Sequence, residues 1–298
     1  MDAPLVSVVI PTYNHVQFLR EALVSVIAQT ERRWEALVIN NFSEDDTEIM
    51  VSSLDDTRIK LFNFRNQGII AASRNTGIQR ARGQFVAFLD SDDRWAPEKL
   101  RSCVQRLQNG VDLVCHAERW FGEGVSGRAV YYGPSERGQF DSLLYQGNAL
   151  STSAVVIRRE RLLECGGFSE DPKIVTAEDY DLWLRLAQGG NQIAFLDEVL
   201  GDFRLHAGSQ SRSIERNLAA EIAVLDRCYA TLPAADKAER LRRARRLAIA
   251  HYSAGRNFQK ARAPGSATKH LIKALRIYPW LLKPWMALAL NLQLIFRR

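Results

Sequence analysis

The stretch Phe85-Val-Ala-Phe-Leu-Asp-Ser-Asp-Asp93 decides how the chain is read: an apolar strand that stops abruptly in three carboxylates. Asp90, Ser91 and Asp92 form Asp-x-Asp, and residues i and i+2 of an extended segment point the same way. Two hard oxygen ligands on one side of a strand end suit Mg²⁺ or Mn²⁺ carrying substrate phosphates. The same residues, ahead of Arg94-Trp-Ala-Pro97, would also make a good solvated turn. The setting of the motif separates the two readings.

That setting is a regular alternation over the first 115 residues. Apolar runs at 5–10, 35–39, 59–64, 85–89 and 111–115 are separated by helical patterns at 16–29, 44–53, 70–82 and 97–108. Short strands rich in Val, Ile and Phe, alternating with helices, predict βαβ units and a mostly parallel α/β sheet. Ligands bind such sheets beyond the carboxyl ends of the strands. Segments 11–15, 40–47, 65–69 and 90–93 all follow strands and hold polar or turn residues, so they should meet at one edge. Residues 112–135 instead predict an antiparallel hairpin. Its turn, Gly122-Glu-Gly-Val-Ser-Gly127, matches Gly-x-Gly-x-x-Gly only formally, because a β-like run follows it and not a helix.

With 298 residues and 46% hydrophobic content, the chain has room for one large domain or two small ones. Cys103, Cys115, Cys165 and Cys228 are scattered without metal or redox spacing, as expected of a reduced cytoplasmic protein. No basic region with a long apolar run opens the chain, and residues 5–10 read as a strand, not as a leader. The net charge of +6 hides a division. Residues 231–298 hold 15 Lys and Arg against Asp236 and Glu239, a balance of +13, which leaves −7 for the first 230 residues. An acidic body with a basic tail predicts that the tail meets an anionic surface.

In order along the chain, the motifs resemble the inverting family 2 glycosyltransferases of the GT-A fold, from Val6 to Ser211. The resemblance rests on Val6-Ser-Val-Val-Ile-Pro-Thr-Tyr-Asn14, Ala72-Ser-Arg-Asn-Thr-Gly77, the Asp-x-Asp, Gly166-Gly-Phe168, Ala177-Glu-Asp-Tyr-Asp-Leu-Trp-Leu-Arg185 and Phe203-Arg-Leu-His206. It implies a nucleotide-sugar-binding half at 1–110, an acceptor-binding and catalytic half at 111–212, and a basic helical region at 213–298. Pro11, Thr12 and Tyr13 would border the nucleotide base, and Arg74 would face the donor diphosphate. Asp90 and Ser91 would serve the donor, Asp92 would be the direct ligand of Mg²⁺ or Mn²⁺, and His206 would close over metal and phosphates. Asp179 would be the general base, with Glu178 on the acceptor side. An acidic first turn of a helix, favourable for its dipole, is compatible with that role.

The chain departs from the family pattern after the second strand, where Asn40-Asn41 stand in place of the usual aspartates. An amide can still pair with a base edge, so donor binding is expected to persist with UDP as the default. The Gln-x-x-Arg-Trp signature of processive synthases is absent, which implies one sugar per encounter. The resemblance thus implies transfer from a nucleotide-sugar donor to a glycan or lipid-linked acceptor in bacterial surface polysaccharide assembly. A catalytically silent sugar-nucleotide or membrane-adaptor subunit is the alternative.

In the tail, residues 236–252 predict a helix with Leu241, Ala244, Leu247, Ala248 and His251 on one face and Arg242, Arg243 and Arg246 opposite. Residues 266–278 repeat the design, and 285–296 are apolar with flanking Trp280 and Trp285. Twelve residues reach only about 18 Å, too short for a bilayer core of about 30 Å. The tail is therefore expected either to lie in the interface on the inner face of the plasma membrane or to pack on the body. A nucleic-acid partner is not expected, since the tail contains no recognition module.

Overall fold

The computed structural model describes residues 3–206, 208 and 213–296. Ala207, Ser209 and Ser211 of the late-histidine region, the expected boundary at 212, and Arg297 and Arg298 lie outside the described residues.

The alternation read from the sequence is present. Strands β1 (Val6–Thr12), β2 (Trp34–Asn40), β3 (Ile59–Asn63) and β4 (Phe85–Phe88) are separated by α1 (Val16–Ile27), α2 (Thr47–Ser53) and α3 (Ile70–Arg80). They pair in the order β3-β2-β1-β4, each pair parallel. Every residue of β1 and β2 is buried, which is why both read as runs and not as alternations. Val8 and Ile10 pack with Leu19, Leu23 and Val26 of α1, while Val9 packs on the other face with Ile78 of α3. Helix α3 comes close because of Gly77: a Cβ there would lie 2.4 Å from Val9 Cγ1.

Beyond β4 the sheet becomes mixed. The next elements are β5 (Arg94–Trp95), α4 (Lys99–Gln108), β6 (Leu113–Gly122), β7 (Val125–Val130), α5 (Phe140–Gln146), β8 (Val155–Arg158), α6 (Arg159–Glu164), α7 (Glu178–Gln188) and β9 (Ile193–Leu205). The full order is β3-β2-β1-β4-β8-β6-β9-β5, with β7 paired on β6. The run at 111–115 does enter the sheet, as the start of β6, but β8 inserts between it and β4, antiparallel to both. Antiparallel neighbours need no crossover helix, so a strand returning from a loop excursion can fill the gap. The expected hairpin forms with Glu118 opposite Val130, and its glycine-rich stretch is the turn.

Four helices follow: α8 (Ile214–Thr231), α9 (Lys237–Lys260), α10 (Pro264–Ile277) and α11 (Leu282–Phe296). Asp236 caps α9 by accepting the Glu239 N–H at 2.7 Å, and Pro264 occupies the first turn of α10. The expected facing of α9 is corrected at two positions. Leu241 is exposed, and Arg246, assigned to the outer face, is buried. The cause is an acceptor at the end of α5: Arg246 Nε donates to the Leu144 carbonyl at 3.0 Å, and Nη2 pairs with Glu221 of α8. A helix end without its own donors is satisfied by a guanidinium from the tail.

The approach of α3 to β1 sets where Arg74, three residues before Gly77, meets the sheet edge. Gly77→Ala should lower unfolding free energy by about 1–3 kcal/mol through overpacking, despite a helix-propensity gain of about 1 kcal/mol. Urea melts would read the loss. Adding Val9→Ala should cost less in that background than in wild type, because it vacates the contested space.

Candidate active site

The strand ends meet in a cleft of about 870 Å³. Its lining includes Asp90, Ser91 and Asp92 after β4, Pro11 to Tyr13 at the end of β1, and Glu178 with Asp179 at the start of α7. Segments 77 and more residues apart are thus brought to one edge, as the alternation predicted for those that follow β1 and β4.

Asp93 fixes the Asp-x-Asp turn. Its backbone N–H donates to the Asp90 carbonyl at 3.0 Å. Its buried carboxylate accepts from the Ser153 hydroxyl at 2.6 Å and from the Arg204 N–H at 2.8 Å. Burial, then the neighbouring Asp92 charge, push its carboxyl well above the usual range. Arg204 of β9 also donates from Nε to the Asp92 carbonyl at 2.8 Å. With Asp93 turned into the protein, Asp90 and Asp92 are left to the cleft.

Arg74 of α3 lies between the two carboxylate groups. Nη1 donates to Glu178 Oε1 at 2.6 Å and Nη2 to Asp90 Oδ1 at 2.7 Å. Burial pulls the guanidinium toward neutrality, but the Asp90 and then the Glu178 charges outweigh it and hold it cationic. Its Nε–H is buried without a hydrogen-bond partner among the described residues. The ring of Phe168 lies 5.3 Å from the guanidinium. That ring is held by Asn75, which donates to the Phe168 carbonyl at 2.9 Å and accepts its N–H at 2.8 Å. Gly167 lets the turn pass, because a Cβ there would sit 2.6 Å from Asn75 Oδ1 and its φ is +69°. The Ser-Arg-Asn and Gly-Gly-Phe motifs are therefore two halves of one contact.

Glu178 lines the cleft with both oxygens engaged: Oε1 is held by this pairing, and Oε2 accepts the Thr176 N–H at 2.8 Å. Thr176 has φ +88°, a strained setting for a β-branched residue. Asp179 behaves differently. Its Oδ1 accepts the Tyr180 N–H at 2.7 Å, while Oδ2 has only long contacts with Asn148 Nδ2 at 3.4 Å and Thr152 Oγ1 at 3.3 Å. Burial first, and the Glu178 charge second, push its carboxyl up to about 7.

At the other pole His206 Nε2 and Asp92 Oδ2 are hydrogen-bonded at 2.9 Å. Phe18 packs 5.0 Å from the His206 ring, and His15 lies 5.7 Å from it. His15 Nδ1 is also 3.2 Å from the Ser91 hydroxyl. No group of three or more His, Cys, Asp or Glu poised around one point occurs among the described residues. The donor set nonetheless fits a hard divalent ion. Two ligands at about 2.1 Å in adjacent octahedral positions lie about 3 Å apart, and Asp92 Oδ2 and His206 Nε2 already have that spacing. Such ions take one or two carboxylates and leave the remaining positions to substrate phosphates.

The asparagine pair divides. Asn41 lines the cleft and accepts the Asn66 N–H at 3.0 Å. Asn40 is buried under the loop: its amide donates to Asn63 at 2.8 Å and its oxygen accepts from the Ser43 hydroxyl at 2.7 Å. Donor contact expected of Asn40 is thus replaced by a loop-holding role, since no part of it lines the cleft. Sequence reading also missed Asp93, Ser153 and Arg204, and the contributions of Glu221, Arg246, Ile249 and Ser253 to the far wall. Only Asp93 carried a signal, as the third acid of a buried strand end.

Comparison with known proteins agrees with this geometry. The family model described as Glycosyl transferase family 2 matches residues 7–163. The chain is 31% identical over 233 residues to the Escherichia coli UDP-Glc:alpha-D-GlcNAc-diphosphoundecaprenol beta-1,3-glucosyltransferase WfgD, covering 76% of this chain and 87% of the relative. In fold it is similar to S. aureus TarS 1-349 in complex with UDP-GlcNAc (TM-score 0.68, 20% identity, 97% of this chain and 88% of that one). It is likewise similar to the mannosyltransferase PcManGT from Pyrobaculum calidifontis in complex with GDP-Man and Mn²⁺ (TM-score 0.62, 18% identity, 99% and 86%). The family match over more than half of the chain and the relative 31% identical over most of both chains lead to one conclusion: the chain belongs to glycosyl transferase family 2.

Proposed function

We propose that the protein moves one sugar, with inversion and with the help of Mg²⁺ or Mn²⁺, from a nucleoside diphosphate sugar to a glycan or lipid-linked acceptor. UDP is the default nucleotide. The observation that carries this reading is Asp179: a carboxyl pushed up to about 7, with Oδ2 weakly held at the cleft wall.

Pro11, Thr12, Tyr13 and Asn41 border the base, and Asp90 and Ser91 flank the ribose and phosphates. Arg74 holds Asp90 and Glu178 in place, and its unpartnered Nε–H is a donor for a phosphate oxygen. Asp92 and His206 would hold the metal ion, which would neutralise charge on the departing diphosphate. The acceptor hydroxyl approaches between donor and Asp179 Oδ2. As its oxygen forms the new bond to the anomeric carbon, its proton passes to Oδ2, and the bond from that carbon to the diphosphate breaks. Glu178 lies beside the acceptor and raises the basicity of Asp179 through its charge. The relative's diphosphoundecaprenol acceptor supports a lipid diphosphate as the acceptor class, used at the inner membrane face in surface polysaccharide assembly.

Three measurements test this. Asp179→Asn should lower kcat about 10²–10⁴-fold while leaving nucleotide binding intact. Wild-type kcat/KM should rise with unit slope toward a plateau above about pH 7, since the base works only when deprotonated. A plateau that extends unchanged to pH 5 would remove Asp179 from the role. In thermal-shift panels of UDP, GDP, dTDP and CDP, one nucleotide should stabilise wild type only with Mn²⁺ or Mg²⁺, and Asp92→Ala should lose that response. Donor binding without transfer or hydrolysis would return the chain to a silent sensor.

A further inference from the structure

The end of the tail carries a second surface, remote from the Asp-x-Asp. Helix α11 presents Leu282, Trp285, Met286 and Leu290 to solvent at i, i+3, i+4 and i+8, with Trp280 just before them. Trp280 and Leu282 are 72% and 73% exposed. This is not a helix still seeking a core, because its inner face is already used. Gln259 Nε2 donates to the Ala287 carbonyl at 2.7 Å, and Asn291 Nδ2 donates to the Pro264 carbonyl and to Thr268 Oγ1 at 2.9 and 2.7 Å. Those bonds hold α11 against α10 and the end of α9 and leave the apolar stripe outward.

The segment that carries the stripe is cationic. On α10 the exposed row is Lys269, Ile272, Lys273 and Arg276, and Lys283 is exposed on α11. Lys269 lies 3.8 Å from Glu215 of α8. No Asp or Glu occurs after Glu239. At 15 residues α11 falls short of the roughly 20 that a span requires, and no described helix is long and apolar enough to cross a membrane.

We infer that the α10–α11 hairpin docks on an anionic bilayer surface, with Trp280, Leu282, Trp285, Met286 and Leu290 inserted below the headgroups and Lys273, Arg276 and Lys283 at the lipid phosphates. Exposed tryptophans beside an apolar stripe, set in a segment with cations and no acids, match the chemistry of such a surface. The placement has a consequence for the cleft. Helix α9 packs along α10, with Gly255 against Leu271, and the same helix sends Arg246, Ile249 and Ser253 into the far wall. Docking would therefore set the acceptor side of the cleft at a fixed height above the lipid. The height argument rests on the lipid-linked acceptor proposed above; the docking face does not.

The test uses the full chain and no acceptor. Wild type is sedimented with phosphatidylcholine vesicles and with vesicles containing about 30 mol% phosphatidylglycerol, and binding should be about tenfold or more stronger on the anionic ones. Tryptophan emission should shift to the blue on binding. A Trp280→Ser/Trp285→Ser/Met286→Ser variant and a Lys273→Glu/Arg276→Glu/Lys283→Glu variant should each lose about tenfold or more of that partition. Both should keep the wild-type circular dichroism and its metal-dependent nucleotide stabilisation, so failure of docking stays separate from failure of the donor site. Wild type remaining in the supernatant, or binding both vesicle types equally and regardless of the substitutions, would overturn the inference. So would a dimer in light scattering that the serine variant converts to monomer, since a second copy would then be the occupant.

Discussion

The site depends on one buried cation. Arg74 ties Asp90, 16 residues along the chain, to Glu178, 104 residues along it. Without the guanidinium, two carboxylates at the bottom of the cleft would face each other with Asp179 and Asp92 close by. Removing one partner of such a buried arrangement typically costs about 3–5 kcal/mol, because the other charge is left unpaired. The pair of links also joins the parallel half of the sheet to the start of α7. The Asp-x-Asp turn and the start of α7 are thus fixed relative to each other by a single planar group.

The same electrostatics sorts the acids by function. Five carboxylates crowd the region, and each has a different fate. Asp93 is buried and held by Ser153 and the backbone of β9, Asp90 and Glu178 share Arg74, and Asp92 is joined to His206. Asp179 lines the cleft with Oδ2 held only by long contacts and a carboxyl raised to about 7, whereas the carboxyl of Asp93, also raised, is turned into the protein. The base proposed for this site owes its raised carboxyl to burial and to the neighbouring Glu178 charge.

The tail is part of this enzyme's architecture and more than an appendage. Arg246 leaves the basic outer face to satisfy the end of α5 and pair with Glu221, and in doing so forms cleft wall. The cations that remain outside are spread over the exposed faces of α9, α10 and α11. The division between acidic body and basic tail is therefore real at the surface but not at the boundary, where one of the tail's arginines has become core.

Much of this was legible in the chain itself. The four parallel strands announced themselves as apolar runs because strands buried on both faces need no polar alternation, and the strand-end position of Asp90 and Asp92 followed from period and order alone. Gly122–Gly127 was readable as a turn because a β-like run follows it. Other features could not be read, because they depend on what lies across space. Asn40 and Asn41 are adjacent and chemically identical, yet one is buried against Asn63 and the other faces the cleft, since successive residues at a strand end point opposite ways and only the β2–β3 register says which is which. Insertion of β8 between β4 and β6 left no local mark. The inward turn of Arg246 contradicts its helical pattern, because a distant carbonyl and carboxylate outweigh the preference of an arginine for water. Sequence alone determined the elements, their order and the chemistry gathered at one edge, because those follow from local periodicity; tertiary structure decided which carboxylates are paired and which oxygens stay weakly held, because that is set by partners brought together across a hundred residues.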